Sequence, residues 1–435
     1  MSELPYPATE DRHQTTIEAL LETTRMLWPG PACSRVEGSM PRGHRVVREY
    51  ALLPDRCQPR LALPVGAPRA AAELFRKYSQ GLSRRERYSR AAMARLVGTR
   101  LGNRAVTRLL PERLTISVPA GRVVESIEDH LSRLLDSEVL VTVGVGPPRA
   151  NRKPILRVLT PDGRTRAFVK VGLSPVTTEL VRGEAEALAA YWSAGPPGRL
   201  VHAPRVLHHG RWRSLELLVI EPVLPGRARW SRPDVPTAAM AELGTRLGTS
   251  RRPLDRSLVW EGARSSPPAL TDPDQAAALA RVVATVERRF GSTRLTFGAW
   301  HGDWTPWNMA WDGDQVLLWD FERFAVGVPL GFDLAHYRLQ SVLRSHGETA
   351  AAERARAGLL TGGRAAGTST RAPTRASAGD AAGECAPGDD PEAVQVAYLV
   401  ELARRYALAS QPVEGRPLRA RTAWLIALLS ELVGR

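Results

Sequence analysis

Apolar positions recur along the chain at two different periods, and the changes between them divide the sequence. Over residues 15–27, Ile17, Leu20, Leu21 and Leu27 fall at helical spacing and stop at Pro29-Gly30. Residues 43–65 alternate in part, as VVREYALLP, a turn at 55–59 and RLALPV, which predicts a hairpin. Helices rich in Ala, Leu and Arg follow over 68–80 and 84–101, then a strand RLTISVP at 113–119. Residues 122–135 carry an apolar stripe of Val123, Ile127, Leu131, Leu134 and Leu135, the mark of an amphipathic helix. Residues 1–135 thus form a small α+β region. Its arginines alternate with apolar positions as a solvated face does, and no chemistry can be named for it.

From 136 the period of two dominates. VLVTVGVG (139–146), residues 153–163 and RAFVKVG (166–172) read as successive strands, joined by a turn holding Gly144, Gly146 and Pro147-Pro148 and a second at Pro161-Asp162-Gly163. A helix is expected from 177 or 178 to 192, and two further strands within 201–226. Residues 136–224 are therefore read as a mostly antiparallel five-stranded sheet with one helix inserted after its third strand. Residues 225–435 turn helical, over 235–247, 273–290, 391–406 and 419–429 and from 333 onwards, with a short strand at 315–320. Residues 358–390 hold almost no large apolar side chain. Nothing there offsets the entropy of ordering, so a disordered insertion is expected.

Composition narrows the function less than it first suggests. A chain of 435 residues has room for two or three domains, and 43% hydrophobic with 24% charged residues is ordinary for a soluble protein. The formal charge of +15 invites a nucleic-acid reading. Only three lysines contribute to it, however (Lys77, Lys153 and Lys170), and the arginines are scattered among Ala, Gly and Pro. No zinc finger, RNP-like strand or basic helix adjoining heptads is present, so no specific nucleic-acid partner is expected. Cys33, Cys57 and Cys385 match no metal or redox spacing. No apolar run approaches the ~20 residues of a membrane span, and no basic region precedes a hydrophobic N-terminal stretch. A cytoplasmic location without a membrane partner is the expectation.

The candidate chemistry lies in residues 301–322, HGDWTPWNMAWDGDQVLLWDFE. Phosphoryl transfer from a nucleotide needs a cation on the phosphates, oxygen donors for magnesium, a carboxylate for the acceptor hydroxyl, and a turn that lets backbone approach the phosphates. Asp303 could orient an acceptor hydroxyl, and Asn308 and Asp320 suit a hard, oxygen-loving ion. Lys170 sits in RAFVKVG among strand-forming apolars, where the bland alternative is an edge or snorkelling lysine. Glu184 falls within or beside the apolar stripe of the next helix and wants a cationic partner, for which Lys170 is the candidate; Glu179 and Glu186 compete for that role. His301 reads as a structural hydrogen-bonder, Asp312-Gly313-Asp314 as a plain turn, and Asp320 alone could be a strand-end cap. Trp300, Trp304, Trp307, Trp311 and Trp319 read mostly as packing, with room for one or two in an acceptor pocket.

HGDWTPWN (301–308) followed by LLWDFE (317–322) resembles the catalytic and metal-binding motifs of the aminoglycoside phosphotransferase and choline kinase group. The resemblance spans roughly 137–433. It implies a bilobal α+β protein-kinase-like fold, with a small antiparallel-sheet lobe and a mainly helical large lobe, here preceded by the α+β region. It also implies ATP and magnesium as cofactors and a small-molecule acceptor with a free hydroxyl. Asp303 then matches the catalytic aspartate, Asn308 and Asp320 the metal ligands, Lys170 the phosphate-holding lysine and Glu184 its helix partner. Gly144 and Gly146 match the glycine-rich turn, Glu221 lies in the hinge-like IEPVLPG (220–226), and Asp333 in GFDLA matches a structural aspartate. The turn VGVGPPRANRKP departs from the regular glycine-rich loop. A catalytically inactive kinase-like domain with a binding or regulatory role is the alternative.

Overall fold

A computed structural model describes residues 9–36, 40–53, 59, 61–65, 99, 113–144, 153–196, 198–223, 234–361, 385–411 and 417–434. The expected helices at 68–80 and 84–101, the turn at 55–58 and Gly146 lie outside the described residues. The chain divides into two compact units, one of Met1–Arg182 with Val206–Pro222 and one of Gly183–Arg205 with Val223–Arg435.

The first unit is built on a sheet. Its strands are β1 (Cys33–Arg35), β2 (His44–Leu53), β3 (Leu61–Pro64), β4 (Arg113–Pro119), β5 (Leu140–Gly144), β6 (Ile155–Leu159) and β7 (Thr165–Gly172), with β9 (Val206–Trp212) and β10 (Leu215–Ile220); the two-residue β8 (Val201–His202) belongs to the other unit. Their order is β1-β4-β2-β3-β5-β6-β7-β10-β9. The five strands expected within 136–224 are all present, but they are not the whole sheet. Leu61 and Ala62 of β3 pair with Gly144 and Val143 of β5, so strands from the first 135 residues extend the same sheet to nine. Helices α1 (Thr9–Leu27) and α2 (Ile127–Leu134) accompany it. Leu20, Leu27, Trp28, Tyr50, Ile116, Leu131, Val141, Val158, Val169 and Leu217 share one core. Removing such side chains from water stabilises the unit by roughly 1.5–3 kcal/mol each before entropy is counted.

Helix α2 starts later than its stripe suggests. Ser126 accepts from the Asp129 N–H while the Asp129 carboxylate accepts from the Ser126 N–H, a reciprocal cap that fixes Ile127 as the first helical residue. Val123, expected in the stripe, is 91% exposed outside it.

The second unit is mainly helical. It takes the C-terminal part of α3 (Pro175–Ser193), then α4 (Thr237–Thr245), α5 (Leu258–Ser265), α6 (Pro273–Phe290), α7 (Phe332–Arg356), α8 (Pro391–Ala409) and α9 (Pro417–Val433). Helix α6 matches its expected bounds because local chemistry sets both ends: Asp272 caps the Asp274 and Gln275 N–H groups, Pro273 fits the first turn, and Arg288 and Arg289 occupy the last. Helix α7 begins within one residue of its expected start and turns at Gly347, whose φ of 81° no helix interior accommodates. Val282, Val286, Phe290, Phe332, Leu339, Tyr398, Leu402, Leu425 and Leu429 meet in one core.

Short strands thread this core. β11 (Ser250–Pro253), β12 (Arg294–Trp300) and β15 (Ala325–Pro329) form one sheet. β13 (Met309–Asp312) and β14 (Gln315–Leu318) form a hairpin, with β8 parallel to β14. Of these, only the strand near 315 was expected. Gly298 of β12 lets α4 approach: a Cβ there would lie 2.0 Å from the Gly244 carbonyl oxygen. The low-apolar segment 358–390 lies outside the described residues from 362 to 384, and its two ends are packed. Leu360 and Thr361 are buried, and Asp389 accepts from the Thr296 N–H at 2.8 Å. The expected disorder therefore does not reach those ends, because each finds core or backbone partners.

Candidate active site

The site grows from the end of β12. After Trp300 the chain leaves the strand at His301-Gly302-Asp303, and Gly302 is required there twice over. Its φ is 80°, and a Cβ would stand 2.2 Å from the Arg323 carbonyl oxygen. The turn is held from below by Asp333 in the first turn of α7. The Asp333 carboxylate accepts from the His301 N–H at 2.7 Å and from the Gly302 N–H at 3.1 Å. Burial pushes this carboxyl up to about 7, against the two backbone bonds that favour its charged form. The structural role expected of Asp333 is thus visible as two bonds.

His301 ties the turn to β14. Its Nδ1 accepts from the Asp303 N–H at 3.3 Å, which leaves Nε2 protonated and donating to the Trp319 carbonyl at 3.1 Å. Burial drives its pKa down to about 4, so the ring is neutral. Phe321 packs edge-on against it, with centroids 4.8 Å apart. From α8, Arg405 donates to the Gly302 carbonyl at 2.7 Å, and burial lowers its pKa.

Asp303 is one-third exposed, and both its oxygens are engaged. Asn308 Nδ2 donates to Oδ2 at 2.8 Å and also to the Asp303 carbonyl at 3.0 Å. His336 Nε2, facing the carboxylate as donor, lies 3.1 Å from Oδ1, and His336 Nδ1 accepts from the Tyr398 hydroxyl at 3.1 Å. Burial alone would raise the Asp303 carboxyl, yet the bond and charge of His336 outweigh it and hold the group below its ordinary value. Burial also lowers the pKa of His336, opposed by Asp303, and raises that of Tyr398.

Asp320 reaches the same place through the hairpin. The Trp319 N–H donates to the Asn308 carbonyl at 3.1 Å, so the residue after Trp319 sits beside Asn308. Asp320 adopts φ 74°, ψ 57°, a left-handed conformation that costs an L-residue roughly 1–2 kcal/mol. Glu184 of α3 is buried and accepts from the Phe321 N–H at 3.2 Å, which braces the segment after Asp320. As donors for magnesium, Asn308 and Asp320 fit. Both Asn308 bonds to Asp303 come from Nδ2 and do not use Oδ1, and both side chains offer the oxygen a hard cation prefers. Among the described residues no three His, Cys, Asp or Glu gather as a metal cluster, so water and phosphate would complete the shell.

The other expected residues belong to further elements of the chain. Lys170 is buried in β7 between β6 and β10, opposite Ile155 and Leu218, so it is not an edge lysine. Gly144 ends β5, where a Cβ would approach the Ile155 carbonyl to 3.1 Å. Glu221 follows β10 and is half-buried, while residues 224–233 lie outside the described residues. Trp300 and Trp304 are buried as packing, whereas Trp307 lies 4.6 Å under the Arg344 guanidinium. Sequence reasoning missed His336, Tyr398 and Arg405. The one local signal was polar His336 three residues after Asp333 in an otherwise apolar turn, FDLAHY.

A family model described as the phosphotransferase enzyme family matches residues 152–375, a little more than half of the chain. The chain belongs to the phosphotransferase enzyme family. One of its units is built on a sheet and the other is mainly helical. Solved structures similar to this phosphotransferase-family chain include three of different kinds. A thermostable mutant of the aminoglycoside phosphotransferase APH(4)-Ia, in ternary complex with ADP and hygromycin B, is 13% identical over 71% of this chain and 98% of its own, with a TM-score of 0.44. A putative fructosamine-3-kinase from Haemophilus somnus is 12% identical over 70% of this chain and 96% of its own, at 0.43. An amicoumacin kinase in complex with AMP-PNP, calcium and amicoumacin is 11% identical over 67% and 88%, at 0.37. No curated protein matches the sequence. Among the described residues, no helix is long and apolar enough to cross a membrane.

Proposed function

We propose that this phosphotransferase-family chain transfers the γ-phosphate of ATP to a hydroxyl of a small molecule, with magnesium as its metal. The reading rests on Asp303, a partly exposed carboxylate kept below its ordinary pKa and held between Asn308 and His336. An ionised carboxylate with one oxygen lone pair still open can align an acceptor hydroxyl and take its proton as the bond to phosphorus forms. Asn308 and Asp320 would hold magnesium, which when bound neutralises charge on the phosphate oxygens. Lys170, with Glu184 as its helix partner, would serve the donor phosphates, Gly144 and Gly146 would let backbone approach them, and Glu221 would lie by the adenine. Positioning and charge stabilisation then supply most of the catalysis.

A screen of small-molecule alcohols for magnesium-dependent ATP consumption tests the proposal, with Asp303→Asn as the control. Acceptor-dependent turnover that disappears in the variant is the expected result. Full turnover in the variant would remove Asp303 from its role. No nucleotide- or magnesium-dependent shift in melting temperature would favour the inactive, ligand-binding alternative.

A further inference from the structure

The hydrogen bonds around Asp303 extend one layer further than the reaction requires. His336 on α7 and Tyr398 on α8 are both buried, yet each spends its polar atoms on a chain that ends at the Asp303 carboxylate. The Tyr398 ring packs edge-on against Phe332 and His336, which fixes the direction of its hydroxyl. The Asp303 carboxylate can only accept, so it calls for the His336 proton on Nε2, and Nδ1 then accepts from the Tyr398 hydroxyl. Seven residues along the same helix, and so on the same face, Arg405 holds the Gly302 carbonyl just before Asp303.

We infer that His336, with Nε2 on the Asp303 carboxylate and Nδ1 engaged by Tyr398, is a positioning residue that locks the plane of the Asp303 carboxylate. This rests on the proposed function for its consequence, though not for its geometry. Asn308 alone holds one oxygen and leaves the carboxylate free to rotate about its Cβ–Cγ bond. The second bond, from His336 to the other oxygen, removes that rotation. Each oxygen then spends one lone pair inward, and the remaining direction is fixed for an acceptor hydroxyl. A histidine serving only the core would be satisfied by any two acceptors or donors. This one is satisfied by a side chain that is one-third exposed and needs no help to be solvated.

Two readouts on the full chain test the inference. In 15N-histidine NMR at pH 7, His336 should appear as a single neutral tautomer with a protonated Nε2 and a bare Nδ1. In Asp303→Ala that single signal should give way to a mixture of tautomers, since the Tyr398 hydroxyl can donate or accept. An Nδ1-protonated or doubly protonated ring in the parent protein, or a tautomer unmoved by Asp303→Ala, would overturn the inference. The second readout is magnesium-dependent ATP hydrolysis with water as acceptor. His336→Leu should lower kcat about 100-fold with KM for ATP unchanged, as a small misplacement of a catalytic group does. His336→Gln keeps a donor at the same reach and should recover most of that loss, whereas a merely packing role would make Leu the better tolerated change. Equal kcat in His336→Leu and the parent would overturn the inference. A parent protein that turns over no ATP either with water or with any acceptor screened would count against the proposed function instead, and the NMR result would still decide the role of His336.

Discussion

Two buried carboxylates, one in each unit, meet the same physics with different consequences. Glu128 in the sheet unit is 4% exposed and Asp333 in the helical unit 5%, and burial raises the pKa of both. Glu128 is answered by a cation and a strand. It pairs with Arg48, whose Nε lies at 2.7 Å, and accepts from the Val141 N–H at 2.9 Å, so it joins α2, β2 and β5 and its account closes there. Asp333 accepts from two backbone N–H groups, with the charge of Arg405 also favouring its ionised form. Those groups belong to the turn that presents Asp303, and around that turn His301, His336, Tyr398 and Arg405 also converge. A shifted pKa therefore marks a strut in one unit and a candidate site in the other. What separates them is whether the buried groups lead to a partly exposed reactive atom.

The sharpest way to break this contrast is Asp303→Asn. It should lower acceptor-dependent turnover by about 1000-fold, in the range of general-base removal, and leave the melting temperature near that of the parent. Glu128→Ala should do the reverse. It strands the partly exposed Arg48 and should cost about 2–3 kcal/mol in denaturant unfolding, while kcat of the folded fraction is unchanged. Comparable losses of turnover from both variants would erase the distinction between the units.

A pH series tests the helical unit alone. The Asp333 pKa is raised to about 7 in the folded protein, so the stability linked to its protonated form is complete below about pH 4 and is lost as the pH rises through 7. His301 has the opposite sign. Its pKa is lowered to about 4, so its contribution is complete above about pH 6.5 and is lost as the pH falls towards 4. Unfolding free energies at pH 4, 5.5 and 7 should therefore show Asp333→Asn losing less stability than the parent between 5.5 and 7. Parallel curves would refute the assignment. The smallest effect is expected from Arg344→Ala, which removes an exposed cation–π contact with Trp307 worth about 0.5 kcal/mol and leaves ATP-dependent turnover unaltered.

The parts of the fold that could be read in advance are those whose causes are local. RLTISVP at 113–119 and the helix at 273–290 keep their expected bounds, because alternation, an Asp cap and Pro at the first position act within a few residues. The short strands β12 and β15 escaped although Leu295, Phe297 and Ala299 alternate with Arg294, Thr296 and Gly298, because the pattern runs over only seven residues in β12 and five in β15. The extension of the sheet by β3 against β5 joins residues some eighty positions apart, a pairing that no local pattern encodes.

The amino-acid sequence by itself determined the candidate constellation. Asp303 and Asn308 lie five residues apart in one loop, and a short hairpin returns Asp320 beside them, so their meeting needs only local geometry. Tertiary structure alone decided how that constellation is held. His336 comes to Asp303 across 33 residues, Tyr398 to His336 across 62 and Arg405 to Gly302 across 103, each on a helix whose pattern reads only as core. Buried polar groups must find partners, and which partner each finds is set by how α7 and α8 pack against the end of β12.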